Sequence, residues 1–183
     1  MNVFAFIADG SEEVECLSVV DILKRAQFNV TLISINPDKE VHTSHGINIM
    51  ADTTINDIDI NDADILFLPG GGPGTQHFKD SKKLTDMILY HASKNKPIAA
   101  ICAAPSVLGQ LGLLKGLKAT CYPGFEDQLI GASYSHDGVI TDGTITTSRG
   151  LGYALDLGLR LVELYKSPDL AKELKAAIQY DQI

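Results

Sequence analysis

A strand that stops at a cysteine and turns at once into a helix leaves a chain few folds to choose from. Residues 97–114, PIAAICAAPSVLGQLGLL, have this form: an apolar β-type run over 97–101, then Cys102, then small residues and Pro105 opening a helix. Such a junction lies at the carboxyl edge of a parallel sheet, where open α/β folds bind their ligands. A cysteine there sits beside a helix N-terminus, whose partial positive charge favours thiolate over thiol. Ala103 and Ala104 leave the turn uncrowded, as a nucleophile elbow requires. Two readings of Cys102 stand side by side: a reactive thiol, or a small buried core residue, a common fate of free cysteine.

The flanking sequence repeats the strand-to-helix alternation. Residues 2–8 read as an apolar strand, and Asp9-Gly10-Ser11 turns into a helix from Glu12 to about Ala26. Its acidic first turn and lone glycine weigh against a dinucleotide-binding loop, which needs glycines and no local negative charge. Helical spacing puts Glu15, Val19, Ile22 and Ala26 on one stripe, so a carboxylate shares the apolar face. Glu15 is then either a buried acid with a raised pKa or an exposed acid helping the helix dipole, the role expected of Glu12 and Glu13.

Residues 28–35 form the next strand and 41–51 a hairpin turning near His45-Gly46. His42 and His45 lie three apart, which in strand or turn context is not a metal pair, and no metal is expected. Residues 52–64 form a polar connection that can hold a short helical turn, and 65–68 a buried strand. That strand ends in Pro69-Gly70-Gly71-Gly72-Pro73-Gly74, either a bare turn or a loop whose backbone N–H groups approach a ligand. In a parallel sheet this loop and Cys102 share one edge. An amphipathic helix over 81–94 leads into the Cys102 strand. Beyond the elbow come a strand at 117–121, a turn at Tyr122-Pro123-Gly124 and a hairpin of 139–141 with 144–147 across Asp142-Gly143. A glycine-interrupted helix then runs to Tyr165, and Ser167-Pro168 caps a final one.

The 183 residues suit one domain, 1–183, with a sizeable core. A net charge of −8 with no Lys/Arg cluster excludes a basic face, and nucleic acid is not an expected partner. No apolar run approaches the roughly 18 residues of a membrane span, so no membrane partner is expected. The first residues read as a strand rather than a signal peptide, and three cysteines without tight spacing argue against a disulfide framework. The expected compartment is the cytoplasm.

Four stretches together resemble the ThiJ/PfpI superfamily, in the branch containing the parkinsonism-associated deglycase: ADGSEEVE (8–15), LPGGGPGTQ (68–76), AAICAAP (99–105) and TSRG (147–150). The resemblance runs from Met1 to about Lys175. It implies a flavodoxin-like three-layer α/β sandwich with a mostly parallel central sheet, a nucleophile elbow and a homodimer. It implies that Cys102 is the reactive cysteine and Glu15 its partner acid, held protonated against the thiolate. The N–H groups of Gly71 and Ala103 match the family's oxyanion donors, with Gly70 beside them, and no cofactor is implied. Arg25 matches a family arginine near the site, and Arg149 belongs to the TSRG stretch.

The chain also departs from the pattern. Tyr122 precedes Pro123 where many relatives carry a histidine, and a tyrosine is a poor base at neutral pH. Ala103 replaces the histidine that follows the nucleophile in the PfpI peptidase branch, which argues against peptidase activity. His45 stands roughly where relatives reach across the dimer with an arginine, making any anion contact there pH-dependent. Cys16 points about 100° away from Glu15 around the helix. Cys121 is either a core thiol or, as the neighbour of Tyr122, a second redox thiol. The function implied is a cysteine-dependent enzyme of glyoxalase or deglycase type, acting on a small reactive carbonyl or a glycated thiol or amine. The alternative is a redox-responsive or chaperone-like stress protein that senses oxidation through Cys102.

Overall fold

The computed structural model describes residues 1–180, so the last three residues of the expected 1–183 domain lie outside the described residues. In chain order the elements begin with β1 (Asn2–Ile7), α1 (Glu13–Arg25), β2 (Asn29–Ser34), β3 (Glu40–His42), β4 (Asn48–Met50) and β5 (Thr53–Thr54). They continue with β6 (Ile65–Leu68), α2 (Gly72–Asp80), α3 (Lys82–Ser93), β7 (Ile98–Ile101) and α4 (Pro105–Gln110). The last are β8 (Lys118–Ala119), β9 (Ser133–Tyr134), β10 (Val139–Asp142), β11 (Ile145–Ser148), α5 (Ala154–Tyr165) and α6 (Pro168–Ala177).

Seven strands form the central sheet in the order β10-β11-β7-β6-β1-β2-β5, parallel throughout except for the β10–β11 hairpin. Parallel strands covered on both faces read as continuous apolar runs, as β6 (ILFL) and β7 (IAAI) do, every residue buried. The period-2 geometry of a strand then divides the core. Val3, Ala5 and Ile7 of β1 face a cluster under α1 and α5, whereas Phe4, Phe6 and Ala8 face a second cluster with Phe78, Leu84 and Leu108. Each fully buried large side chain contributes on the order of 1.5–3 kcal/mol.

Helix α1 forms because its apolar stripe has a partner. Val19, Ile22 and Ala26 are buried with Glu15, and Ile22 lies so close to α5 that a Cβ on Gly158 would come within 2.8 Å of its Cβ. The Glu12 carboxylate starts the helix by accepting the Glu15 N–H at 2.5 Å. Glu12 and Glu13, expected in solvent, are both buried, because the β3–β4 hairpin folds over the helix start and brings His45 onto them.

Two further expectations need correction. The glycine-rich segment is not all loop: α2 begins at Gly72, with Pro73 in its first turn, where the fixed φ of proline and its missing N–H cost nothing. The strand at 117–121 shrinks to β8, which pairs with β9 outside the central sheet. The place beside β7 is taken instead by β11, whose parallel register sets Ser148 opposite Ile101. That pairing carries residues 149–153 to the edge where Cys102 lies.

Candidate active site

Cys102 has φ +64°, a left-handed conformation that costs a non-glycine residue roughly 1–2 kcal/mol. Two backbone hydrogen bonds hold it there: its N–H donates to the Ser148 carbonyl at 2.9 Å, and its carbonyl accepts from the Tyr122 N–H at 2.8 Å. Neighbours on both sides thus fix the elbow, and the side chain stands partly exposed. Helix α4 behind it has only six residues, so the local donors matter more than a helix dipole. Those donors are the N–H groups of Gly71 and Ala103, both hydrogen-bonded to the Cys102 sulfur.

Glu15 reaches the same sulfur from α1. Its carboxyl group is hydrogen-bonded to the Cys102 side chain, and it accepts N–H groups from Gly70, at 3.0 Å to Oε2, and from Leu151. The loop must be glycine for this convergence. A Cβ on Gly70 would collide with Glu15 Oε2 and lie 2.5 Å from Cys102 Cβ and 3.1 Å from Sγ. Gly71 has φ +90°, and a Cβ there would strike Gly10 O and come within 2.6 Å of the Glu12 nitrogen.

Burial pushes the Glu15 carboxyl up from 4.5 to about 7, and the nearby charge of Glu12 adds to the shift. Burial, and the charge of an ionised Glu15, push the Cys102 thiol up to about 12, against the pull of the Gly71 and Ala103 N–H groups. This reverses the sequence expectation of a simply lowered thiol pKa. The opposition from Glu15 exists only while its carboxyl is ionised. With the proton on Glu15 the repulsion vanishes and the carboxyl O–H can donate to sulfur. The two groups therefore lose their protons in well-separated steps, and the first leaves one negative charge shared across the pair.

The remaining candidates divide. Tyr122 stands beside the pair, its N–H on the Cys102 carbonyl and its ring 3.3 Å from where a Cβ on Gly150 would lie, itself 4.0 Å from Glu15 Oε1; Arg149 lines the neighbouring depression with its charge near Cys121. His45 turns its Nδ1 to Glu13 at 3.1 Å and Glu12 at 3.8 Å, one turn of α1 before Glu15. Arg25 does not join the site of its own chain. It is ten residues further along α1, about 15 Å at 1.5 Å per residue, and pairs with Asp21 at 2.6 Å in the exposed last turn. Cys16 and Cys121 are both fully buried, and burial pushes each thiol up to about 12.

His42 and His45 do not converge, since His42 Nδ1 contacts Asn48 at 2.9 Å. Among the described residues one cluster of potential metal donors occurs, Glu12, Glu13 and His45, with donor atoms within 4.8 Å of one another. In it Glu12 already caps α1 and His45 already pairs with both acids. A depression of about 480 Å³, larger than the one beside Cys102, is lined by Asp9, Asp38, Glu40, His42, His77 and Asp80 and contains no thiol. Sequence reasoning passed over Leu151 and Tyr153. They sit in a short 3-10 turn whose spacing carries no signal, yet Leu151 donates its N–H to Glu15.

With this geometry in view the chain can be compared with known proteins. The profile of the DJ-1/PfpI family matches residues 1–164. The chain belongs to the DJ-1/PfpI family. It is 38% identical over 172 residues to DJ-1 homolog B of Arabidopsis thaliana, covering 93% of this chain but 39% of that protein. The chain thus spans less than half the length of the two Arabidopsis relatives. Protein dj-1beta of Drosophila melanogaster is 33% identical and matched over 94% of both chains. A Bacillus subtilis relative, YraA, 33% identical over 81% of this chain and 88% of its own, is named provisionally as a cysteine protease. Among solved structures, oxidized Toxoplasma gondii DJ-1 superposes with a TM-score of 0.94 at 36% identity, covering 99% of each chain. The family's flavodoxin-like α/β fold is that of this chain, a mostly parallel sheet flanked by helices. Among the described residues no helix is long and apolar enough to cross a membrane.

Proposed function

We infer that the chain is a Cys102-dependent enzyme that converts small 2-oxoaldehydes, such as methylglyoxal, or the carbonyl adducts they form on thiols and amines, into 2-hydroxy acids. One observation carries this reading: a partly exposed cysteine at positive φ receives two backbone N–H groups and a carboxyl group whose pKa lies near 7. In the productive state Glu15 holds the proton and Cys102 is the thiolate. Sulfur attacks the aldehyde carbon, the carbonyl electron pair moves onto oxygen, and Glu15 protonates it to give a hemithioacetal. The Gly71 and Ala103 N–H groups steady the developing oxyanion, a contribution typically about 3 kcal/mol per donor. Glu15, now ionised, takes the proton from the former aldehyde carbon and returns it to the neighbouring ketone carbon, while the hemithioacetal O–H proton passes to the ketone oxygen. The first carbon is thereby oxidised to the acyl level and the second reduced to an alcohol, with no outside oxidant. Water then cleaves the thioester to a 2-hydroxy acid and frees the thiol.

Positions 103 and 122 carry Ala and Tyr, so this scheme rests on Glu15 as its proton carrier and uses no imidazole. That is also why a peptidase reading finds less support despite YraA. A homodimer belongs to the same proposal, because Val14 and Leu17 on α1 and Met50 on β4 are large apolar side chains left in solvent. Light scattering on the purified chain checks it.

The deciding experiment is D- and L-lactate formation from methylglyoxal by the wild type, Cys102→Ala and Glu15→Gln. Lactate lost in both folded variants supports the mechanism; lactate at the Cys102→Ala level in the wild type overturns it. The redox-sensing alternative draws on the exposure of Cys102 and its contact with a carboxyl group that can hydrogen-bond a sulfinate. Selective gain of two oxygens on Cys102 after mild peroxide, seen by mass spectrometry, supports it.

A further inference from the structure

Beside the Cys102–Glu15 pair lies a depression of about 320 Å³ that the reaction scheme above leaves unused. Its walls are Tyr122, Pro123, Leu151 and Tyr153, with Arg149 on its lining. The three large side chains are strongly exposed for their type, Tyr122 at 51%, Leu151 at 49% and Tyr153 at 39%. Apolar groups grouped around a concavity next to a nucleophile form the usual lining of a small-molecule site.

Gly150 lines the depression on the side of the reacting pair. That residue has no side chain between the Tyr122 ring and Glu15 Oε1, and an added Cβ would touch the first and approach the second. Leu151 belongs to both sides, since its backbone N–H binds Glu15 while its residue lines the depression. The walls are also held in place. The Tyr153 ring packs so tightly on Gly138 that any Cβ there would collide with it, and the Tyr122 N–H is bonded to the Cys102 carbonyl.

We propose that this depression is a subsite for the substituent of the carbonyl substrate, and that the chain selects 2-oxoaldehydes bearing an aryl or comparably bulky apolar group over methylglyoxal. The proposal rests on the carbonyl chemistry above and specifies its substrate class. A methyl group fills little of the available volume, whereas a phenyl ring can lie against Tyr122 and Tyr153 and displace water from Leu151. Aromatic pairs of this kind add about 0.5–1.5 kcal/mol beyond the area they bury. The step itself is unchanged: phenylglyoxal plus water gives mandelate, the aldehyde carbon oxidised and the ketone carbon reduced.

The test has a kinetic arm and a binding arm. In the first, kcat/KM is measured for phenylglyoxal and methylglyoxal with the wild type, Tyr153→Ala and Tyr122→Ala. The expected result is a tenfold or greater preference for phenylglyoxal, falling at least fivefold in each variant. In the second, calorimetry compares mandelate and lactate binding to Cys102→Ala, alone and combined with Tyr153→Ala. At least tenfold tighter binding of mandelate, lost in the double variant, is expected. If both aldehydes react equally and the two acids bind alike, the subsite is refuted and the reaction stands. If neither aldehyde reacts yet mandelate binds selectively, the reaction falls and the subsite stands. Absence of both turnover and selective binding refutes both.

Discussion

Glu15 should make this protein less stable as the pH rises towards neutrality, and the size of the effect follows from its burial. The carboxyl group has an ordinary value of 4.5 and about 7 in the fold. Between those values the native state holds a proton that the unfolded chain has lost. Stability therefore falls as pH rises through this window and levels off above it. At about 1.4 kcal/mol for each pH unit, the window is worth about 3 kcal/mol. Gln at position 15 keeps an oxygen for the Gly70 N–H and a donor for residue 102 but cannot ionise. The clean comparison uses Cys102→Ser as background, so that only Glu15 titrates. Urea unfolding of that protein and of its Glu15→Gln derivative at pH 5, 6, 7 and 8 should show the Gln protein gaining about 2.5 kcal/mol relative to its parent between the extremes, the rest of the window lying below pH 5. A difference constant to within about 0.5 kcal/mol would refute the burial argument and, with it, the assignment of Glu15 as the group that carries the proton near neutrality.

Other consequences can be checked separately. Cys102→Gly should be more stable than Cys102→Ala by about 1 kcal/mol in thermal or chemical unfolding, because only glycine relieves the cost of φ +64°; equal stabilities would mean that the elbow is unstrained. Gly70→Ala should lose about 1–3 kcal/mol through overpacking, since its Cβ meets Glu15 Oε2 and Cys102 Cβ. The same variant should also slow modification of Cys102 at least tenfold, measured by timed iodoacetamide labelling. Peptide mapping of the native wild type after such labelling at pH 8 should find Cys102 modified and Cys16 and Cys121 intact, because Cys102 is partly exposed whereas the other two are fully buried; early labelling of Cys121 would revive it as a second redox thiol.

The apolar runs of β6 and β7, the cysteine at the end of one and the glycines at the end of the other are local properties, and they were legible in the sequence. So was the stripe that buries Glu15 with Val19, Ile22 and Ala26, because a helix repeats every 3.6 residues whatever it packs against. The α2 helix escaped because Gly72-Pro73-Gly74 has poor intrinsic helix propensity, which packing of Phe78 against the core overrides. The burial of Glu12 and Glu13 escaped because a hairpin some 30 residues away covers them. The electrostatics of the site were equally nonlocal. Adjacency to a helix start predicted a lowered thiol pKa, but burial and a carboxyl group from α1 set the balance. Sequence by itself determined the alternation of strands and helices and the place of Cys102 at the carboxyl end of β7, since periodicity and turn chemistry act over a few residues. Only the tertiary structure decided which residues surround that cysteine, because β11 enters the sheet beside β7 and brings Gly150, Leu151 and Tyr153 from some fifty residues away.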